Sequence, residues 1–510
     1  MERAVIDGYY GASNEVLKRF WENGGVINGV SYPLAKTFLH THTDMGSAKD
    51  SILTVDEYLK TAIEMGARSV SVTDHAYMYG VLPLYKACET YNAEHKDADP
   101  IKCIIGVEFY VCEDVEDKTK KKHTRLHLIA YAKDEKGYKT LCSMVTKSNT
   151  RKIVAGKNEY PCISKKILEE YMGPGTEGHD HIILTSACIG GVVAGIMYES
   201  ENEKKNVDGF NGKLKSLNYL RDSLDNQNKL ISSLDEQIEK LSAVANKKYG
   251  KRQQALKKHP DEEALKVLEK EMKETELAAA EVKRIKAQKK NVQKGLTEIT
   301  NQVKNLMPKN DSDVDYFTLQ SLAADELCDT LIGYYERVIK EASESIVDDN
   351  NVEDAFKKEM LYYENLAGKG NWFIEMQFHG VANEKKYMHV LAKLANELDM
   401  PLVAANDAHM STRDKVMARK IVNGLRFDTK GSRWQDPSAE EEEMYLKTDA
   451  ELYQWLCKEI SSDDAMNAMI NRDLIVDACN CVLTFGKHYP KFPISDAEEF
   501  GDCSEYVKTA

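Results

Sequence analysis

The stretch FLHTHTDMG places two histidines one residue apart, His40 and His42. In an extended strand, residues i and i+2 point to the same side, so both imidazoles can reach one ion. A lone pair of this kind also suits a plain strand end, so the other metal-type side chains must decide. Asp74 and His75 occur in VTDH, Glu108 in GVEFY, His127 in RLHLIAYA, Cys188 in TSACIGG, and Asp407 and His409 in NDAH. Singly, each has a plain structural explanation: His127 as a satisfied core histidine, Cys188 as a small buried hydrophobe, NDAH as a helix cap. Together they fall at or near the ends of successive β-rich runs, which points to a shared metal centre. His95, His259, His379, His389 and His488 do not fit that pattern and read as ordinary. His123 is a near neighbour of His127, and His179 and His181 precede their strand, at the wrong end.

The elements that must position these residues alternate along the chain. Strand-like runs occur at 37–42, 69–74, 101–111, 124–132, 181–186, 372–378 and 401–407. Helical patterns lie between most of them, at 54–66, 81–95, 134–148 and 383–399. Strand alternating with helix predicts an α/β protein with a parallel sheet or βα barrel, here an incomplete or distorted one. In such barrels the C-terminal rim of the strands is where active sites are built.

The alternation stops near residue 200 and resumes near 370. In between, Leu217, Leu220, Leu224, Ile231, Leu234, Ile238 and Leu241 take heptad positions, then Ile285, Val292, Ile299 and Leu306 on a second run. KKHPDEE, with Pro260, separates them. The pattern predicts an antiparallel coiled-coil hairpin over about 214–306, each arm of roughly 40 residues and about 60 Å. The expected organisation is a 1–36 N-terminal extension, a first barrel part at 37–199, a helical insertion at 200–370, a last barrel part at 371–425 and a C-terminal segment at 426–510. After residue 410 the chain reads as a helix near 412–425, another at 448–460 and a less regular tail.

Of 510 residues, 42% are hydrophobic and 30% charged, with a formal net charge of -14. Such a chain is not broadly adhesive to nucleic acid or anionic membrane, though a local groove is compatible with it. Eleven cysteines without CxxC pairs, and no signal-peptide pattern, imply free thiols and a cytoplasmic location. No run reaches the length of a transmembrane helix, so no membrane partner is expected.

FLHTHTDMGSAKDSI, VSVTDHAYMYGVLPLYKAC, IIGVEFYV, HLIAYAKDEKGYKTLC, LTSACIGG, FIEMQFHG and VAANDAHM together resemble the PHP domain. The version they resemble is the one at the N-terminus of bacterial and phage C-family replicative polymerases, the DNA polymerase III alpha subunits. MYLKTDAELYQWL and FGKHYPKFP resemble that family's passage toward its polymerase core. The resemblance implies a distorted (β/α)7 barrel holding three divalent ions, Zn2+ or Mn2+ with Mg2+ as a further candidate. It implies His40, His42, Glu108 and Asp407 for the first ion, Glu108, His127 and Cys188 for the second, and Asp50, His75 and His409 for the third. Asp44 is the neighbouring alternative to Asp50. Catalytic weight would fall on Glu108, His42 and Asp407.

Two departures stand out: the coiled-coil insertion, and a chain that ends where a polymerase palm would begin. DSDVD at 311–315 reads as a solvated acidic linker rather than palm carboxylates. The expected activity is therefore metal-dependent phosphodiester hydrolysis of 3′–5′ exonuclease type on DNA, because clustered cations acidify water and neutralise phosphate oxygens. The alternatives are a small-molecule phosphatase and a catalytically silent module of a split polymerase. Expected partners are DNA and a polymerase core or other replication protein, the latter through the coiled coil.

Overall fold

In the computed structural model, residues 3–485 are described, apart from 49, 113–124, 151, 156–157, 259, 309–314, 345, 349 and 428–440. The FGKHYPKFP motif beyond Phe485, His123, His259, His488 and all but the last residue of DSDVD lie outside the described residues.

All seven strand-like runs form strands: β1 (Thr37–Phe38), β2 (Ser69–Val72), β3 (Lys102–Cys112), β4 (Leu126–Ala132), β5 (Ile182–Thr185), β6 (Trp372–Met376) and β7 (Leu402–Ala404). They pair in the order β7-β6-β5-β4-β3-β2-β1, and a short strand, Ile163–Ser164, joins β3 off this path. The sheet curls until its edges meet. A Thr41–Ala408 bridge links the chain just past β1 and β7, with His42 N–H donating to Ala408 O (2.9 Å) and Ala408 N–H to His40 O (3.1 Å). The result is a mixed α/β fold with a curled sheet, consistent with the expected barrel.

One strand corrects the expectation of a parallel sheet. β4 runs antiparallel to both neighbours, β3 and β5. β4 follows β3 in the chain and pairs with it directly along its length.

The predicted helices appear as Val55–Glu64, Val81–Glu94, Glu135–Thr150 and Ala382–Glu397. In the first, Thr54 caps the Glu57 N–H (3.3 Å), and Asp56 and Glu57 complement the helix dipole. Period-2 alternation then sorts the strand side chains. One face supplies Leu39, Ile104, Ile129, Tyr131, Ile183, Phe373 and Val403 to an inner cluster. The other packs outward on the helices, with Ile105, Val107, Ile182 and Leu184 in a larger core.

Both flanks of the barrel are more ordered than the sequence suggested. Helices Arg3–Tyr10 and Asn14–Glu22 bury Tyr9, Leu17, Phe20 and Trp21 in the main core. The tail folds into helices Asp449–Leu456, Ser462–Ile470 and Arg472–Ala478. Ile475 and Cys479 from the last enter the inner cluster. Lys102 Nζ reaches Asn480 Oδ1 (2.8 Å), Asn471 Nδ2 reaches Leu402 O (2.9 Å) and Asn480 N–H reaches Lys133 O (2.7 Å). These contacts lie at the starts of β3 and β7 and just past the end of antiparallel β4, so the tail closes the pole opposite the rim. A buried Arg472–Asp449 ion pair (2.8 Å) ties it to the N-terminus, because Asp449 also accepts Tyr9 Oη (2.5 Å) and Lys36 N–H (3.0 Å).

Between β5 and β6 stand two long helices, Ile196–Leu256 and Glu262–Asn305. Asp261 caps the second by accepting from Ala264 N–H (2.8 Å), one residue after Pro260. Lys289 pairs with Asp235 and Lys248 with Glu274, so the helices run antiparallel. Leu217, Leu220, Leu224, Val303 and Met307 form a core with helix Ala324–Glu344, separate from that of the barrel. No helix among the described residues is long and apolar enough to cross a membrane.

Candidate metal centre

The inward face of each strand changes from apolar to polar as it nears the rim. On β3 the inward series is Ile104, Gly106, Glu108, Tyr110; on β6 and its extension it is Phe373, Glu375, Gln377. His127, expected only to lie within its strand, reaches the same rim from the beginning of β4, because that strand is reversed. In the antiparallel register Tyr110 is opposite His127, so Glu108 and His127 are diagonal neighbours on one face.

The structure brings all nine sequence-predicted residues together. His40 Nε2, His42 Nε2 and Asp407 Oδ1 lie within 3.1–3.3 Å of one another. Glu108 approaches His40 (3.8 Å), His42 (3.3 Å), His75 Nδ1 (2.5 Å) and His127 Nδ1 (2.7 Å). Cys188 Sγ lies 3.6 Å from His127 Nδ1. Asp50 Oδ2 lies 3.3 Å from both His75 Nε2 and His409 Nε2, so Asp50 rather than Asp44 faces the cluster. The His42 ring packs near-parallel to both His75 (4.2 Å) and His409 (4.4 Å), whose own centroids are 5.9 Å apart. Three sets converge closely enough to hold a cation: His42, His75, His409; His40, His42, Glu108; and Glu108, His127, Cys188.

The donor atoms fit metal ions better than they fit one another. Both Glu108 oxygens, Asp407 Oδ1, His75 Nδ1 and His409 Nε2 are buried and receive no directed hydrogen bond, although ring nitrogens crowd them. Buried polar atoms are rarely left so. Lone pairs converging from nitrogen, oxygen and sulfur are what a divalent cation requires.

Residues outside the cluster fix its orientation. His40 Nδ1 meets Glu375 Oε1 (2.7 Å), leaving Nε2 to face inward. Thr185 Oγ1 and Gln377 Nε2 both donate to Glu375. His42 Nδ1 meets Ser47 Oγ (3.1 Å), and Ser47 donates to Asp74 (3.1 Å). Asp74 itself turns away from the cluster to accept Thr43 N–H (2.7 Å) and Thr43 Oγ1 (2.8 Å). Glycine is required around it: a Cβ at Gly46 or Gly80 would lie 2.5 Å from Asp74 atoms. Arg419 holds Asp50 through Nη2 (2.9 Å) and through its backbone carbonyl (2.8 Å).

Asp407 has φ +47°, an uncommon conformation for a non-glycine residue. Its neighbour Asn406 is pinned to sustain it. The Asn406 amide donates to Glu443 O (3.1 Å) and Tyr445 O (2.6 Å), Oδ1 accepts Lys447 Nζ (3.1 Å), and the carbonyl accepts His379 Nε2 (3.0 Å). His379, which read as ordinary, is thus a buried support with Glu384 (2.9 Å) behind it.

Electrostatics divide the cluster. Burial alone would raise Glu108, but His127 and His75 hold it well below the usual carboxylate range. Burial would likewise raise Asp407, which His40 and His409 hold down. Burial would lower His40, yet Asp407, Glu375 and Glu108 lift it to about 9. His42 has no such excess of acids; burial, then His75 and His409, lower it to about 3. The cluster therefore sets buried anionic carboxylates and a neutral His42 beside a protonated His40, which must give up that proton before its Nε2 can ligate a cation.

A curled α/β sheet carries this histidine- and carboxylate-lined rim, and residues 39–228 match the PHP domain family model. The chain carries a PHP domain, whose family has a metal-dependent hydrolase-type fold and binds metals. The relatives it is similar to include DNA polymerase III alpha subunits, matched in their N-terminal portion. The chain is 36% identical over 157 residues to the DNA polymerase III subunit alpha of Campylobacter jejuni, covering 31% of this chain and 11% of that protein. It is 32% identical over 178 residues to that of Helicobacter pylori, covering 35% and 13%. It is 30% identical over 160 residues to the probable DNA polymerase YorL of Bacillus subtilis, covering 30% and 12%. The matches thus span about an eighth of these relatives' own length.

Glu375, Gln377, Arg419 and Lys447 were missed by sequence reasoning. For Glu375 and Gln377 a signal existed, since they share the inward face of Phe373. Arg419 and Lys447 had none, because each acts through a partner distant in sequence.

Proposed function

We propose that this chain hydrolyses phosphodiester bonds in DNA as the PHP-domain part of a replicative polymerase alpha-like subunit, with 3′–5′ exonuclease polarity. The observation that carries the reading is the convergence of nine ligand-type side chains, four of which, His75, Glu108, Asp407 and His409, keep buried polar atoms without a hydrogen-bond partner. His40, His42, Glu108 and Asp407 would hold a first ion, Glu108, His127 and Cys188 a second, and Asp50, His75 and His409 a third. Mixed nitrogen, oxygen and sulfur donors suit Zn2+ or Mn2+ better than Mg2+. Bound there, the cations supply acidified water and neutralise charge on phosphate oxygens.

The chain's own residues do the positioning. Glu108 lies between two ligand sets, so it fixes their spacing. Glu375 and Ser47 orient the His40 and His42 rings, and Arg419 keeps Asp50 turned into the site. His42, Glu108 and Asp407, at the centre, are the residues on which hydrolysis depends most directly.

The proposed division is a barrel made of 37–199 and 371–425, with 200–370 as an insertion bearing a coiled-coil hairpin at about 214–306. Residues 1–36 and 426–510 flank it. The heptad positions Leu217, Leu224, Leu234 and Ile285 are buried, which supports the hairpin. Its role in this reading is to dock a replication partner such as a polymerase core. Ten free cysteines among the described residues support a reducing, cytoplasmic setting.

The test is degradation of 5′-labelled single-stranded DNA with Mn2+ or Zn2+, comparing wild type with His42→Ala and Asp407→Asn. Loss of activity in both variants is expected, with little turnover of a simple phosphomonoester. Equal activity in all three proteins would overturn the proposal, and preference for the phosphomonoester would make the chain a small-molecule phosphatase.

A further inference from the structure

Two features beside the cluster have no part in holding ions. The first is the loop after β2. Tyr77 and Tyr79 stack face to face, centroids 5.1 Å apart and planes 10° apart. Tyr79 is 61% exposed. They are two and four positions past His75, so their Cα atoms lie within about 7 and 14 Å of it. An exposed aromatic held parallel to a second ring is pre-set in orientation and leaves a flat face to solvent.

The second feature lies at the start of β4. Arg125 precedes His127 by two residues, and its guanidinium sits 3.7 Å from the Tyr160 ring centroid and 5.7 Å from that of Tyr110. Tyr110 in turn stacks on His75 (5.6 Å). Among the described residues no carboxylate pairs with Arg125. A guanidinium held over rings at the mouth of a phosphoesterase site is chemically suited to a phosphate.

We infer that this rim is a landing strip for single-stranded DNA, with the outer face of Tyr79 taking a base and Arg125 taking a backbone phosphate. The inference rests on the proposed DNA-hydrolysing function and names how its substrate is held. Aromatic stacking with an adjacent cation is the common solution for binding single strands without sequence preference, because every base has a flat face. A duplex keeps its bases stacked internally and cannot offer one. The local cation also reconciles an acidic chain with a polyanionic substrate.

The experiment is equilibrium binding of a fluorescent oligo-dT to the full chain in EDTA, read by anisotropy across a salt series. Chelation stops cleavage and removes any grip of metal on phosphate. Tyr79→Ala is expected to weaken binding on the order of tenfold, about 1.4 kcal/mol, and Tyr79→Trp to restore it. An abasic strand should bind wild type as weakly as oligo-dT binds Tyr79→Ala. Arg125→Ala should weaken binding and lower the slope of log affinity against log salt by about 1. Equal binding by wild type and Tyr79→Ala, equal binding of duplex and single strand, or no binding by wild type would each overturn the inference. A protein that binds as described yet cuts no DNA when metal is restored would leave the strip standing and remove the hydrolytic function instead.

Discussion

Replacing Glu108 by Gln removes one charge at the point where four imidazoles meet within 2.5–3.8 Å. The shape is nearly kept, but an amide offers one oxygen acceptor where the carboxylate offered two, so it cannot serve two ligand sets. A cation at a hundred times its dissociation constant stabilises the fold by about 2.7 kcal/mol. Losing the bridge should therefore remove between one and two such contributions, roughly 2.7 to 5 kcal/mol of metal-dependent stability. The assay compares urea unfolding with Mn2+ and with EDTA, alongside metal content per chain by mass spectrometry. Wild type should show a large chelation-sensitive shift and Glu108→Gln a small one, with fewer ions retained. Glu375→Gln is the graded control: among the nine candidate ligands it is hydrogen-bonded to His40 alone, through Nδ1, so one ion should weaken by about 10- to 100-fold. If Glu108→Gln retains the wild-type ion count and the same EDTA shift, the carboxylate is not a bridging ligand and the assignment of the two sets fails.

Arg419→Met should release Asp50 and weaken one ion by about 10- to 100-fold, leaving the others bound; unchanged metal content would show that Asp50 needs no anchor. Lys447 gives a pH test. Burial, outweighing Glu443, lowers it from 10.5 to about 8. Between those values the unfolded chain holds a proton the folded chain lacks, so stability rises with pH across that window, by on the order of 3 kcal/mol. Lys447→Met should lose that rise, and urea midpoints at pH 7.5 and 10 that move equally in both proteins would refute it. Joining residue 227 to 295 removes the distal part of the long helices, where Gln227 and Gly295 lie side by side. The Leu217–Met307 core and the barrel core remain, so metal content and hydrolysis should stay within about twofold of wild type. Loss of the ions would show that the insertion supports the site.

The strands and their chemistry were legible because each carries a local signal. A short apolar run ending in a ligand-type residue is visible without knowing its neighbours, as in FLHTH, VTDH and VAANDAH. Direction is not local. Nothing inside RLHLIAYA states that it runs opposite to IKCIIGVEFYV, so the strand's reversal, which brings His127 to the rim, could not be read there. The flanks were obscured for a different reason. The N-terminal helices and the tail bury their apolar faces on each other and on the barrel, and only the fold reveals that Tyr9, Asp449 and Arg472 meet.

The missed residues follow one rule. Reading strand ends finds ligands, because a ligand must reach the rim. It passes over residues whose partner is another side chain, such as Glu375 behind His40 or Lys447 behind Asn406. Alternation recovers part of that set. In WFIEMQF, the inward positions are Phe373, Glu375 and Gln377, and a buried acid two residues above a core aromatic needs a positive or hydrogen-bonding partner. His40 is that partner, and the charge they share is what turns its other nitrogen toward the site. The inward series Phe373, Glu375, Gln377 thus carries in sequence the signal for the acid behind the first histidine. Arg419 has no such signal: its helix shows only an ordinary amphipathic pattern, and its target, Asp50, lies 369 residues away.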